Sequence, residues 1–257
     1  MPSFLSAVAF ILLASCSFSS LAATMPPIDN PIVVQRADPW LVRHDDGCYT
    51  FIGTSPKFDE IELRQACRLN DLKIAEPKII WRKKTAGPMG NHIWAPELHR
   101  IDGSWYIYFA AGDADDQWRI RMYALKNAAT NPMEGEWTEA GQIKTPVDSF
   151  SLDATTFEHK GERYLIWAQQ DAARTYNSAL WLAKMTSPTT IDFDTVTLLT
   201  EPSLDWETAG YKVNEGAAVI IRHGRVLITY SASATDDRYA MGLLWADENA
   251  DLQNPAS

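Results

Sequence analysis

Four stretches of this chain repeat one pattern, and that repeat restricts the fold more than any single motif does. They are "ADPWLVRHDDGCYTFIGTS" (37–55), "WAPELHRIDGSWYIYFAAGD" (94–113), "SLDATTFEHKGERYLIWAQQD" (151–171) and "VNEGAAVIIRHGRVLITYSAS" (213–233). Each carries an acidic residue near its start, an apolar run rich in Val, Ile, Tyr, Phe and Trp, a polar turn with Gly, and a second apolar run. Two β-favouring runs joined by "HDDG", "RIDG", "EHKG" or "IRHG" read as β-hairpins. The units recur at intervals of about 60 residues without a long helical period, which predicts blades of a β-propeller rather than coils of a solenoid. Fainter apolar runs, "RIRMYAL" (119–125), "SALWLAKM" (178–185) and "YAMGLLWAD" (239–247), read as outer strands. A fifth unit would begin beyond Ser257, so the residues alone predict either a ring of four blades or part of a larger ring.

The acids that lead the units are Asp38, Glu97, Asp153 and Glu215. In a propeller the first strand of each blade lines the central channel, and equivalent positions on those strands meet at one mouth. Four carboxylates in register there would raise one another's pKa, a cost in stability unless the site uses them. Starting a turn, as in Asp38–Pro39 or Glu215–Gly216, explains one such acid but not four spaced alike.

Two carboxyl groups across a pocket are the minimum for hydrolysing a glycosidic bond: one protonates the departing oxygen, the other attacks the anomeric carbon or activates a water. The acid needs surroundings that hold its proton, and the base needs solvation. Glu215, followed by "GAAVII", suits the acid, and Asp38, preceded by Arg36, suits a base acting through water. Asp153 would raise the pKa of Glu215 and orient it.

Composition narrows the partners. The net charge of −10 falls wholly after residue 24, and the densest basic run is "WRKK" (81–84), so neither a nucleic acid nor an anionic membrane is expected to bind. Ten Trp and nine Tyr suit neutral, flat-faced ligands such as sugar rings, although aromatic residues also fill cores. Residues 1–24 carry no charge and run "FLSAVAFILLASCSFSSLAA", read as a secretion signal cut after Ala22 or Ala23, with the propeller over 25–257. A lipoprotein signal with Cys16 as the lipidated residue is the second reading; both lack a basic start. Cys48 and Cys67 are then an even pair for an oxidising compartment, either bridged or both buried thiols.

The set "RADPW", "HIWAPELH", "SLDATTF" and "NEGAAVI", in this order and spacing, resembles glycoside hydrolase family 43 over residues 30–257. That resemblance implies a five-bladed β-propeller, here with the fifth blade missing, and inverting cleavage of arabinose or xylose from plant polysaccharide. It implies a general base at Asp38, a carboxylate that tunes pKa and orientation at Asp153, and a general acid at Glu215. "FAAGDADDQWRIRMY" and "YSASATDDRYAMGLLW" are most similar to secreted exo-acting α-1,5-L-arabinofuranosidases, acting as monomers on arabinan, arabinoxylan or their oligosaccharides. Trp94 would line the sugar site with His92 beside it; blade core is the other reading of Trp94. No required cofactor is implied; the family's fifth blade carries a channel histidine that often sits near a bound ion or water, and a structural calcium in the channel is the metal to expect.

Alternatives within the same chemistry are a β-xylosidase or an endo-arabinanase; outside it, a non-catalytic propeller that binds oligosaccharide or protein. No HExxH, CxxC, GxSxG or phosphate-loop motif occurs. His99 and His223 are expected at the surface beside hairpin turns. The acids of "DADDQW" and "ATDDR" lack calcium-loop spacing and read as solvated turns, and no N-x-S/T site occurs.

Overall fold

A computed structural model describes residues 27–254; the secretion signal expected over 1–24 lies outside them. The strands form four sheets, each starting at an inner strand and meandering outward. The first blade is β1 (Ala37–Arg43), β2 (Tyr49–Thr54), β3 (Glu60–Ala66) and β4 (Lys78–Arg82); the second is β5 (Asn91–Ile101), β6 (Ser104–Gly112), β7 (Arg121–Asn127) and β8 (Thr138–Gln142). The third contains β9 (Ser151–His159), β10 (Glu162–Gln169), β11 (Ala179–Ser187), β12 (Thr190–Ile191) and β13 (Thr197–Thr200), with both β12 and β13 pairing to β11. The fourth has three strands among the described residues, β14 (Asn214–Arg222), β15 (Arg225–Ala232) and β16 (Ala240–Asp247). The predicted propeller with four blades is what the chain forms. The runs read as outer strands are the third strands β7, β11 and β16; the true outer strands β4 (KIIWR), β8 (TEAGQ) and β13 (TLLT) are too short to stand out, and β8 is polar as well.

Local chemistry sets the hairpins. Asp102–Gly103, Lys160–Gly161 and His223–Gly224 all have positive φ, the backbone of the type I′ turn, whose twist matches the flanking strands. At the first turn the disulfide Cys48–Cys67 ties the β1–β2 connection to the end of β3.

Alternation along the second strands divides the core into layers between blades. In β6, Trp105, Ile107 and Phe109 pack toward Ile52, Ile61 and Leu63 of the first blade, while Tyr106 and Tyr108 pack toward Leu165 and Trp167 of the third. In β10, Tyr164 and Ile166 turn the other way, onto Val226, Ile228 and Tyr230 of the fourth. Each fully buried large apolar side chain of this kind contributes about 1.5–3 kcal/mol. Among the described residues no such layer covers the far face of the fourth blade: Met241, Leu243 and Trp245 of β16 are 72%, 55% and 59% exposed, with the Arg225 guanidinium over the Trp245 ring.

Candidate active site

Every inner strand is broken at the same place. Two residues there face one on the second strand: Asp38–Pro39 opposite Gly53, Ala95–Pro96 opposite Phe109, Asp153–Ala154 opposite Trp167, and Gly216–Ala217 opposite Tyr230. The first residue of each pair has left-handed backbone, with φ of 50, 44, 54 and 60°. Such bulges re-aim side chains and collect beside active sites, at a cost of about 1–3 kcal/mol for each strained non-glycine residue.

That shared break corrects the expectation of four acids in one register. Asp38 and Asp153 are equivalent, but Ala95 holds their position in the second blade and Gly216 in the fourth. Glu215 stands one residue before the break and Glu97 two after it. The four nevertheless form one electrostatic cluster: Asp153 feels Glu215, Asp38 and Glu97, and Glu97 and Glu215 both feel Asp38.

Specific donors fix each carboxylate. The Thr54 hydroxyl donates to Oδ2 of Asp38 at 2.5 Å and accepts from the Ala95 N–H at 2.8 Å, so the backbone of the second blade sets the orientation of an acid in the first. Arg36, expected to influence Asp38, instead pairs with Glu62 at 2.9 Å. The Gly216 N–H donates to Oδ2 of Asp153 at 2.9 Å, and the Tyr239 hydroxyl donates to Oε1 of Glu215 at 2.8 Å. Glu97 receives Nε2 of His99 at 2.9 Å, and the Thr155 hydroxyl also bonds to it. His99 is not the surface residue expected: its side chain is 9% exposed and packs on Trp40 and Tyr108. His223 does lie exposed in its turn.

Electrostatics follow from this crowding. Loss of solvent, then the charges of Glu215 and Asp38, push Asp153 well above the ordinary carboxylate range, against the opposing hydrogen bond from Gly216. Loss of solvent also raises Glu215, with the Tyr239 hydrogen bond opposing and Asp38 adding. Each charge makes the other harder to form, so the Asp153–Glu215 pair holds a proton above the pH at which an isolated carboxylate loses it. Glu97 is likewise raised by burial, with His99 opposing.

An aromatic wall is built around Trp94, whose neighbour Ala95 donates to the Thr54 hydroxyl that holds Asp38. His92 stacks on Trp94 with ring centroids 4.4 Å apart, Trp118 lies 5.0 Å from His92 and 6.2 Å from Trp94, and Phe58 packs edge-on to Trp94 at 5.9 Å. Nδ1 of His92 lies 3.0 Å from the Gln117 carbonyl. Trp118 is 60% exposed and Phe58 40%, so the wall presents bare ring surface, the kind that sugar rings cover. Trp94 also packs against the core between the third and fourth blades, so its two sequence readings are compatible. Phe58 and Trp118 sit in loops outside the repeated hairpins, and nothing in the repeat marks them.

For a channel calcium, no group of three or more His, Cys, Asp or Glu among the described residues is placed to hold a metal ion. The acids of "DADDQW" and "ATDDR" serve their loops: Asp113 pairs with Arg119 at 3.3 Å, Asp116 accepts the Trp118 N–H at 3.1 Å, and Asp236 holds Arg238.

The model of the family described as glycosyl hydrolases family 43 matches residues 28–257. An extracellular exo-α-(1→5)-L-arabinofuranosidase of Streptomyces avermitilis is 55% identical over 228 residues, 89% of this chain and 47% of that relative. Another, from Streptomyces chartreusis, is 49% identical over 92% of this chain and 72% of the relative. The crystal structure of an α-L-arabinofuranosidase from Lactobacillus brevis superposes with a TM-score of 0.85 at 48% identity, covering 89% of this chain and 73% of that one. The chain therefore spans about half the length of one of these relatives and nearly three quarters of the other. Among the described residues no helix is long and apolar enough to cross a membrane.

Proposed function

This chain belongs to glycosyl hydrolase family 43, and on that premise we propose that it is a secreted, inverting exo-α-L-arabinofuranosidase acting on the ends of arabinan and arabino-oligosaccharides. The observation that supports the reading is that the charge of Asp38 acts on Glu215, each being oriented by a separate donor, with Asp153 hydrogen-bonded to the residue that follows Glu215.

The terminal arabinose sits over the mouth with its leaving oxygen toward Glu215, and the aromatic wall of Trp94 and His92 bounds it. Asp38, held by Thr54, takes a proton from a water, whose oxygen attacks the anomeric carbon from the face opposite the leaving group. As the carbon–oxygen bond breaks, Glu215 gives its proton to the departing oxygen. Exchange with solvent then returns the proton from Asp38 to Glu215. Asp153 shares with Glu215 a proton that the pair holds above the ordinary carboxylate range, and it places the Glu215 strand through the Gly216 N–H. No step needs a cofactor.

Relatives described as extracellular, and the Cys48–Cys67 bridge, support secretion. The non-catalytic reading gains nothing from three crowded carboxylates that cost stability. The test is release of arabinose from linear α-1,5-arabinotriose by the wild-type chain, Asp38→Ala and Glu215→Ala. Both variants are expected to lose at least a hundredfold in rate; undiminished release by either removes that residue from the mechanism.

A further inference from the structure

The Tyr239 hydroxyl is aimed at the same carboxyl that the proposed chemistry uses as its acid. Its residue immediately precedes β16, its ring is 41% exposed, and its oxygen donates to Oε1 of Glu215 at 2.8 Å. The side chain of Ser231 bonds to that hydroxyl in turn. Ser231 is the partner of Glu215 across β14 and β15, and of Met241 across β15 and β16. Glu215, Ser231 and Tyr239 therefore form a chain of contacts across the three strands of the fourth blade. The turn before Tyr239 is itself fixed: Asp236 binds the Arg238 guanidinium and accepts its N–H at 3.0 Å, and the Ala234 N–H bonds to the Ala209 carbonyl at 3.3 Å.

A carboxylic acid has two oxygens, and only one carries the proton. An oxygen that already accepts a strong hydrogen bond is the worse place for it. We propose that Tyr239 is a positioning residue for the general acid: by occupying Oε1 of Glu215 it confines the transferable proton to Oε2, the oxygen left to face the scissile bond. This deepens the function proposed above and rests on Glu215 being the acid. Loss of solvent and the charge of Glu215 push the tyrosine's own ionisation upward, so it stays a donor throughout the working range.

The same hydrogen bond has a second effect. It favours the ionised carboxylate and so opposes the rise in pKa that burial imposes on Glu215. The titratable groups facing Glu215 are Asp38 from β1, Asp153 from β9 and Tyr239; Glu97 of β5 faces Asp153. Tyr239 is the one that stabilises charge on Glu215, while the carboxylates resist it.

The experiment is the pH profile of kcat and KM for Tyr239→Phe on α-1,5-arabinotriose, with Glu215→Gln measured in parallel. Removing the hydroxyl is expected to lower kcat about tenfold, as loss of a hydrogen bond to a charged group does, with KM little changed. The alkaline limb, where the acid loses its proton, is expected to move to higher pH. On an aryl arabinofuranoside with a dinitrophenolate leaving group, which needs no proton, Tyr239→Phe is expected to match the wild type. Should Tyr239→Phe fail to fold, Ser231→Ala, which weakens the same hydroxyl, is expected to shift the alkaline limb in the same direction by less. An inactive Glu215→Gln beside a folded Tyr239→Phe with unchanged kcat and an unchanged limb, or an unchanged limb in Ser231→Ala, would overturn the positioning role alone. Full activity of Glu215→Gln on arabinotriose would instead remove the acid itself.

Discussion

The backbone N–H of Gly216 donates a 2.9 Å hydrogen bond to Oδ2 of Asp153, joining the inner strands of the third and fourth blades at the carboxylate cluster. Glycine adopts the backbone on that side without strain. Its φ is +60°, and a Cβ there would stand 3.6 Å from the Ser231 hydroxyl and 3.9 Å from Asp153. Those contacts are tolerable; the backbone conformation is what a side chain would strain, as it does at the equivalent Asp38, Ala95 and Asp153.

Gly216→Ala is accordingly expected to cost about 1 kcal/mol of stability through strain at positive φ, and to lower activity by more than that strain explains, because the N–H that orients Asp153 shifts with it. Urea unfolding alongside arabinose release checks both. A variant as active as the wild type would show that this hydrogen bond does not orient the site.

Asp153 itself is a stability cost. Its folded pKa is raised, so the folded state binds its proton more tightly than the unfolded chain. Its contribution is therefore favourable at acid pH and is lost as pH rises from the ordinary aspartate range through the folded value. Asp153→Asn keeps an oxygen to accept the Gly216 N–H and is expected to stabilise the protein by about 1 kcal/mol at neutral pH, with no gain at pH 3, while activity falls sharply. Thermal unfolding at the two pH values reads the difference.

Thr54 links Asp38 to the Ala95 N–H. Thr54→Val preserves shape but removes both roles of the hydroxyl, leaving a buried N–H unpaired. A loss of about 1–3 kcal/mol in stability and roughly tenfold in kcat is expected; Thr54→Ser, which keeps the hydroxyl, is expected to retain most of both. Equal kcat in the two variants would count against Thr54 as the group that orients Asp38.

The Cys48–Cys67 bridge closes a loop with a sequence separation of 19 at the end of the first blade opposite Asp38. Cys48→Ser with Cys67→Ser is expected to lower stability by about 3 kcal/mol. In calorimetry that is a fall of roughly 6–12 °C in Tm, with the rate per folded molecule unchanged.

Much of this was legible in the sequence because side-chain alternation and turn chemistry are local signals. The four hairpins, their Gly-containing turns and the acids Asp38, Asp153 and Glu215 all follow from residues close together in the chain. The true register did not, because the position common to the four inner strands is a backbone conformation, occupied by Asp38, Ala95, Asp153 and Gly216, and a left-handed φ leaves no single residue type as its mark. Glu97 was drawn into that register by its spacing. His99 was misplaced because its partners Trp40 and Tyr108 come from different strands, and a turn-proximal histidine gives no sign of them. Tyr239, Thr54 and Trp118 escaped for the same reason: each acts through a contact that exists only once blades or loops meet.

The most direct test of the central claim, that Asp38 delivers water to the face of the sugar opposite the oxygen protonated by Glu215, is proton NMR of the first arabinose released from an α-L-arabinofuranoside, recorded before mutarotation. The expected signal is the β-anomer, the product of a single inversion. Initial appearance of the α-anomer would mean a double displacement through a covalent intermediate and would contradict the assignment of Asp38 as a base acting through water.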